Sequence, residues 1–128
     1  MLTYIICPYN HKDRLVRTAR FKAVSDLMKN MLLQGTPVFS EAVYIHAILE
    51  ANPDLSYESF NWLKILKPFR KMATKVVFYQ LPGWQQDSTF TGAYNQFIGW
   101  GEDITIQGAY PEHLTGAYRE VWEKFNLK

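Results

Sequence analysis

The chain has 128 residues with a formal net charge of +2, 48% hydrophobic and 16% aromatic residues, and a charged fraction of 20%, which excludes a disordered polymer and fits one domain, residues 1–128. A domain of this length buries roughly 65–70% of its unfolded surface without staples. Lys and Arg are interspersed with acids outside one cluster, so the weak positive balance admits anionic small molecules and calls for no nucleic-acid polymer. The lone Cys7 excludes an intramolecular disulfide framework and suits a reducing compartment.

Leu2 to Cys7 is a short apolar, β-branched and aromatic run stopped by Pro8, which predicts a buried strand. From Asp13 the period changes. Leu15, Ala19, Ala23, Leu27 and Met31 fall four apart, with Val16, Val24, Met28 and Leu32 beside them, predicting a long helix that ends at Gly35. Pro37 to Phe39 reads as a second strand, and Ser40-Glu41 leads into a helix over Ala42 to Ala51 that Asn52-Pro53-Asp54 breaks. Ser56-Tyr57-Glu58 predicts the cap of a third helix to about Met72, kinked or restarted at Pro68. Lys75 to Gln80 is the clearest strand. A helix to Gly99, a strand at Ile104 to Ile106 and a last amphipathic helix carrying Leu114, Tyr118, Val121, Trp122 and Phe125 complete the chain.

Strands alternating with helices predict a parallel sheet of four to five strands covered on both faces, a three-layer α/β/α sandwich with right-handed crossovers. Ligands of such sheets sit beyond the carboxyl ends of the strands, so Pro8 to Arg17, Ser40 to Tyr44 and Leu81 to Asn95 converge on one edge. Thr-Gly-Ala-Tyr occurs at Thr91 to Tyr94 and at Thr115 to Tyr118, too short a match for a repeat. No apolar run approaches the roughly 18 residues that span a bilayer. Met1 leads into a strand rather than a basic region and cleavage site, so a cytoplasmic protein without a membrane partner is expected.

Three groups of residues carry possible chemistry. Pro8, Tyr9, Asn10 and His11 lead into a helix whose Arg14, Arg17 and Arg20 spread over about a third of its circumference, a setting for a phosphate at a helix start; the alternative is a capped helix with a solvated basic face. Tyr9 and His11 suit stacking on, or hydrogen bonding to, a base or sugar. Glu41, at the second strand's exit, suits sugar hydroxyls or a helix cap. An exposed Trp84 and the run Asp87-Ser88-Thr89, ahead of Phe90 to Gly99 with Tyr94, form a candidate anion nest. His46 and His113 lack metal-ligand spacing and no Cys/His cluster exists, so no metal or cofactor is expected. The phosphate-loop, GxSxG and GxGxxG patterns are absent.

YIICPYNHKDRLVRTARF, GTPVFSEAVYIHAI, VVFYQLPGWQQDS and the order of elements through Ile106 resemble the nucleoside 2-deoxyribosyltransferase-like family. Within it they resemble the phage and bacterial branch known as a domain of unknown function, DUF1937. The resemblance implies a flavodoxin-like α/β sandwich that cleaves the N-glycosidic bond of a deoxynucleoside or its 5′-monophosphate. The base leaves, and the sugar passes to a Glu and then to another base or to water. That chemistry needs a carboxylate against the anomeric carbon and a second acid to assist the leaving base. The family's spacing of Asp, any residue, Gly, three residues and Glu, counted from Asp87, puts the nucleophile at Ala93. Its helper Asp falls near Leu66. Two readings follow: a divergent enzyme in which Glu41, Asp87 or Tyr9 takes over part of the role, or a scaffold that only binds a nucleotide or nucleotide signal as a sensor or sequestering protein. A pure interaction module is the third. The resemblance also implies sites completed by a neighbouring subunit, and with the aromatic C-terminal segment, Tyr110, Tyr118, Trp122 and Phe125, a homodimer or higher homo-oligomer is expected.

Overall fold

The structure, a computed structural model, describes residues 1–109 and 116–125. Four parallel strands, β1 (Thr3–Ile6), β2 (Val38–Ser40), β3 (Lys75–Gln80) and β4 (Ile104–Gly108), form one sheet in the order β2-β1-β3-β4. The helices are α1 (Arg14–Leu33), α2 (Glu41–Ala51), α3 (Trp62–Lys71), α4 (Ser88–Gly99) and α5 (Gly116–Phe125). The register pairs Ile5 with Ser40 and Ile6 with Phe78, so the ends of β1, β2 and β3 come out on one edge.

Every residue of β1 is buried, as a parallel strand covered on both faces requires. The side chains of the two central strands alternate between two cores. Ile5, Val77 and Tyr79 pack with Ala19, Ala23 and Val24 of α1 and Tyr118 of α5, whereas Tyr4, Ile6, Val76 and Phe78 pack with Phe90, Ala93 and Phe97 of α4. This is the expected three-layer sandwich, with four strands.

Several expectations shift by local physics. Leu15 and Leu32 of the long-helix stripe are exposed, because a helix of 20 residues spans roughly 30 Å while the strands beneath it have three to six residues. The third helix starts six residues later than expected. Ser56 opens only a short 3-10 turn over Tyr57–Ser59, and Asn61 caps α3 by accepting the Lys64 N–H at 3.3 Å. Pro68 sits inside α3, where its missing N–H leaves the Lys64 carbonyl without its helical donor. Trp84, expected exposed, is half-buried against Phe90 with ring centroids 5.7 Å apart. Cys7 lies just beyond β1 rather than in it. Tyr118 is buried, and Val121 and Trp122 pack on the same core, so much of the apolar surface behind the oligomer expectation is used within the chain. Tyr110, His113 and Leu114 lie outside the described residues.

Phe97 is fully buried between Tyr4, Phe78 and Trp100, at centroid distances of 5.8, 6.1 and 5.5 Å. Phe97→Ala should therefore cost about 3–5 kcal/mol in urea unfolding with an unchanged denaturant slope.

Candidate functional site

The chain runs from β1 to β2 on one side of the sheet and then returns past β1 to β3, so the crevice of this topology opens at the carboxyl ends of β1 and β3. Caps fix the residues that reach it. Ser40 accepts the Val43 N–H at 3.3 Å, which makes Glu41 the first residue of α2 instead of its cap. Asp87 accepts the Phe90 N–H at 2.8 Å and starts α4. Asp13 caps α1 through the Leu15 N–H at 2.8 Å.

Glu41 is buried and fully engaged. Arg70 of α3 donates Nε to Glu41 Oε2 at 2.6 Å and Nη2 to Oε1 at 2.8 Å, and the Tyr4 hydroxyl donates to Oε2 at 2.5 Å. The remaining Arg70 nitrogen, Nη1, reaches Gln96 Oε1 of α4 at 3.0 Å. Arg70 is itself only 1% exposed, so this is a buried, bidentate ion pair in which each guanidinium nitrogen has a partner. Burial, and then the Glu41 carboxylate, push the Tyr4 hydroxyl far above its ordinary pKa.

Tyr9, Glu41, Asp87 and Thr89 meet around one small cavity of about 20 Å³, with Cys7, Asn10 and Tyr57 also in its wall. Burial pushes the Asp87 carboxyl above its ordinary range. The amides of Phe90, Thr89 and Tyr9 and the charge of Arg20 oppose that without cancelling it. The Tyr57 hydroxyl lies 3.4 Å from Thr89 Oγ1. Tyr57, Tyr9 and Asn10 also line a neighbouring cavity of about 830 Å³, whose wall includes His11, Lys12, Arg14, Arg17, Glu50 and Glu58. Twenty cubic ångströms hold about one water, whereas the larger space falls in the roughly 300–1,000 Å³ range of small-molecule sites.

The basic fan on α1 does not stand free. Arg14 pairs with Glu50 at 3.0 Å, Arg17 Nη1 donates to the His11 carbonyl at 2.6 Å, and Arg20 is buried. Arg20 donates to the carbonyls of Tyr9, Asn10 and Pro82 at 3.3, 3.1 and 3.1 Å, which joins the loop after β1 to the loop after β3. His11 accepts the Asp13 N–H at 3.0 Å and meets Phe125 edge-on. Pro8 is fully buried, and neither Pro8, Trp84, Ser88 nor Tyr94 lines either cavity. Tyr94 packs edge-on to Phe78 instead, in the core under α4.

Four contributors escaped sequence reasoning: Arg70, Tyr57, His46 and Glu50. For Arg70 a signal existed, since Trp62, Leu66 and Arg70 fall four apart and all three are buried on one face of α3. A cation on an apolar stripe implies a buried partner. Ala93 is 0% exposed in the core with Phe78 and Phe97, and Leu66 is 2% exposed in the other core. Neither position faces the cavities. Among the described residues no group of three His, Cys, Asp or Glu is placed to hold a metal ion, and no helix is long and apolar enough to cross a membrane.

These features define a small parallel α/β sandwich with a polar crevice at its carboxyl edge. The chain belongs to the family described as a domain of unknown function, DUF1937, which matches residues 1–108. No curated protein matches it.

Two outcomes follow. Arg70→Leu leaves Glu41 as an uncompensated buried charge and should cost about 3–5 kcal/mol, while adding Glu41→Leu should recover a large part of the loss, measured by urea unfolding. For Asp87 the raised pKa means that the folded state holds its proton more tightly than the unfolded chain. Its carboxylate form thus weakens the fold above the folded pKa, and the cost is relieved as the pH falls toward about 4, the ordinary Asp value. Relative to Asp87→Asn, which keeps the cap, the wild type should gain stability across that window in unfolding curves taken at stepped pH.

Proposed function

We propose that the crevice binds a deoxynucleoside or its 5′-monophosphate. The observation that carries this reading is the meeting of Tyr9, Glu41, Asp87 and Thr89 around one polar cavity adjoining, through Tyr9, Asn10 and Tyr57, a space of about 830 Å³. The larger space takes the ligand, and the smaller is the polar end against which a sugar rests. The wall of the larger space mixes cations (Lys12, Arg14, Arg17) with acids (Glu50, Glu58) and the ring of Tyr57. Such a lining suits a ligand with hydroxyl donors, a flat ring and at most one anionic group, better than a polyanion.

Glycosidic cleavage is the second reading, favoured by the unequal carboxyl pair at the small cavity. Asp87 is biased toward its protonated form and Glu41 is ion-paired, which divides acid from electrostatic stabiliser as two-carboxyl chemistry requires. In that case Asp87 protonates the departing base and Glu41 stabilises the positive charge that develops on the sugar. With Ala93 in the core, water rather than a side chain at that position captures the sugar, and the Asp87 carboxylate left by that transfer takes up the water's proton.

Calorimetry with the common deoxynucleosides and their 5′-monophosphates should give saturable binding, weakened about tenfold in Asp87→Asn and in Tyr9→Phe, the loss of one strong hydrogen bond. Free base appearing in chromatography establishes the second reading. The absence of both binding and base release removes the nucleotide reading and leaves a protein-interaction module.

A further inference from the structure

Tyr9 has a second side. Its hydroxyl lies 2.9 Å from Nδ1 of His46, His46 Nε2 lies 3.6 Å from Glu50 Oε1, and Glu50 receives Arg14 Nε at 3.0 and 3.1 Å. His46 is 6% exposed, with its ring stacked on Phe21 at a centroid distance of 4.3 Å. The polar and charged groups around the imidazole are Tyr9 from the loop after β1, Arg14 and Arg17 from α1, and Glu50 one turn along α2.

That geometry favours one direction for the Tyr9–His46 hydrogen bond, with the 3.6 Å approach of His46 Nε2 to Glu50 acting as an electrostatic contact beyond hydrogen-bond range. A neutral imidazole has one N–H and one lone pair. With the proton on Nε2, a donor faces the Glu50 carboxylate and Nδ1 accepts from Tyr9. The opposite tautomer would set a lone pair against that carboxylate, so it is disfavoured. Burial lowers the His46 pKa, Glu50 opposes this, and Arg14 and Arg17 add to it, which favours the neutral ring. Arg17 also lies close enough to affect the Tyr9 hydroxyl, whose pKa burial pushes up to about 12. A guanidinium has no acceptor, so Arg17 cannot compete with His46 for the Tyr9 proton; as a donor toward the hydroxyl it shares the oxygen's lone pairs with a ligand and likewise presents no acceptor to it.

We propose that His46 and Glu50 fix the hydrogen-bond polarity of the site: the Tyr9 proton is committed to His46, Tyr9 Oη offers only lone pairs to the cavities it lines, and the site therefore selects a ligand hydroxyl and rejects an acceptor there. Applied to a deoxynucleoside, this rests on the function proposed above, and the selected group is a sugar hydroxyl. His46 is a positioning residue, acting through Tyr9. Unlike a hydroxyl, a phosphate dianion brings no donor to Tyr9 Oη, so on this reading it lies elsewhere in the larger cavity, toward Lys12. A site built around an acceptor discriminates strongly, because a ligand without the donor leaves that acceptor unpaired.

Two measurements test this independently. Long-range proton–nitrogen correlation spectra of the free protein at neutral pH should show His46 as the Nε2–H tautomer; an Nδ1–H tautomer or an imidazolium overturns the proposal whatever the protein binds. Calorimetry then compares thymidine with its 3′-fluoro-3′-deoxy and 5′-fluoro-5′-deoxy analogues, in which an acceptor of similar size replaces each hydroxyl in turn. In the wild type one analogue should bind at least about tenfold more weakly than thymidine. His46→Leu frees the Tyr9 proton to turn toward the ligand and should shrink that gap to about threefold or less, while His46→Asn, which keeps an acceptor, should hold it. A gap unchanged in His46→Leu, or absent in the wild type, overturns the selectivity. If no deoxynucleoside binds but the Nε2–H tautomer is found, the nucleotide reading fails and the relay stands.

Discussion

The buried pair between Glu41 and Arg70 is the constraint on which the carboxyl edge of this protein depends. Taking both charges out of water is costly, and the cost is offset only if nearly every donor and lone pair finds a partner. Here every guanidinium nitrogen and both carboxylate oxygens have one: two bonds join the ions, Tyr4 adds a third donor to the carboxylate, and Gln96 takes the third guanidinium nitrogen. These four side chains come from β1, α2, α3 and α4. One polar node thus joins the strand at the sheet's centre to three helices, and it does so beneath the crevice floor. The same bonds that place Glu41 also occupy its oxygens, which leaves it little capacity to act as an acid, base or nucleophile at the cavity.

Arg20 acts on the opposite side of the crevice by a different route. Its bonds go to backbone carbonyls rather than to a carboxylate, and they tie the loops after β1 and β3 to each other. Among the described residues its Nε and the Tyr118 hydroxyl, both buried, have no hydrogen-bond partner. The Arg20 charge also reaches Asp87, whose proton affinity would be higher without it. The two buried arginines therefore have complementary effects, since Arg70 neutralises one carboxylate while Arg20 positions the loops and moderates the other.

The sequence made the architecture legible because parallel strands and their covering helices carry separate periods. β1 and β3 are continuous apolar runs, α1 has its stripe of four, and Gly35, in a left-handed conformation at φ 79°, ends it as expected. The meeting of Tyr9, Glu41 and Asp87 at one edge also follows from order alone, since each stands just past a strand. What the order of elements does not carry is the direction in which a helical side chain points. The Arg14, Arg17 and Arg20 fan looked like one basic face, yet one of the three lies on the buried side. Arg20 stands between Val16 and Val24, His46 is spaced four from Ala42, and Arg70 is spaced four from Leu66. In each helix the polar residue on the apolar stripe is the one that organises the site. Tyr57 left no such trace, because its place depends on the path of an irregular segment.

Ala93 and Leu66 bear on how any chemistry here must be arranged. Both are packed in cores, Ala93 against the aromatic cluster of Phe78 and Phe97, where a carboxylate would be desolvated without a partner. The acids that remain at the cavity, Glu41 and Asp87, are also structural: one belongs to the buried ion pair and the other starts α4. Polar groups on strand tips and helix caps are rigid because the fold requires them, and that rigidity gives a ligand fixed partners at little ordering cost. On the proposed function, binding and stability therefore share the same side chains. Tyr9 is less encumbered, since its hydroxyl bonds to His46 rather than to the core network, which makes the Tyr9 side of the crevice the place where recognition can change without unfolding the protein.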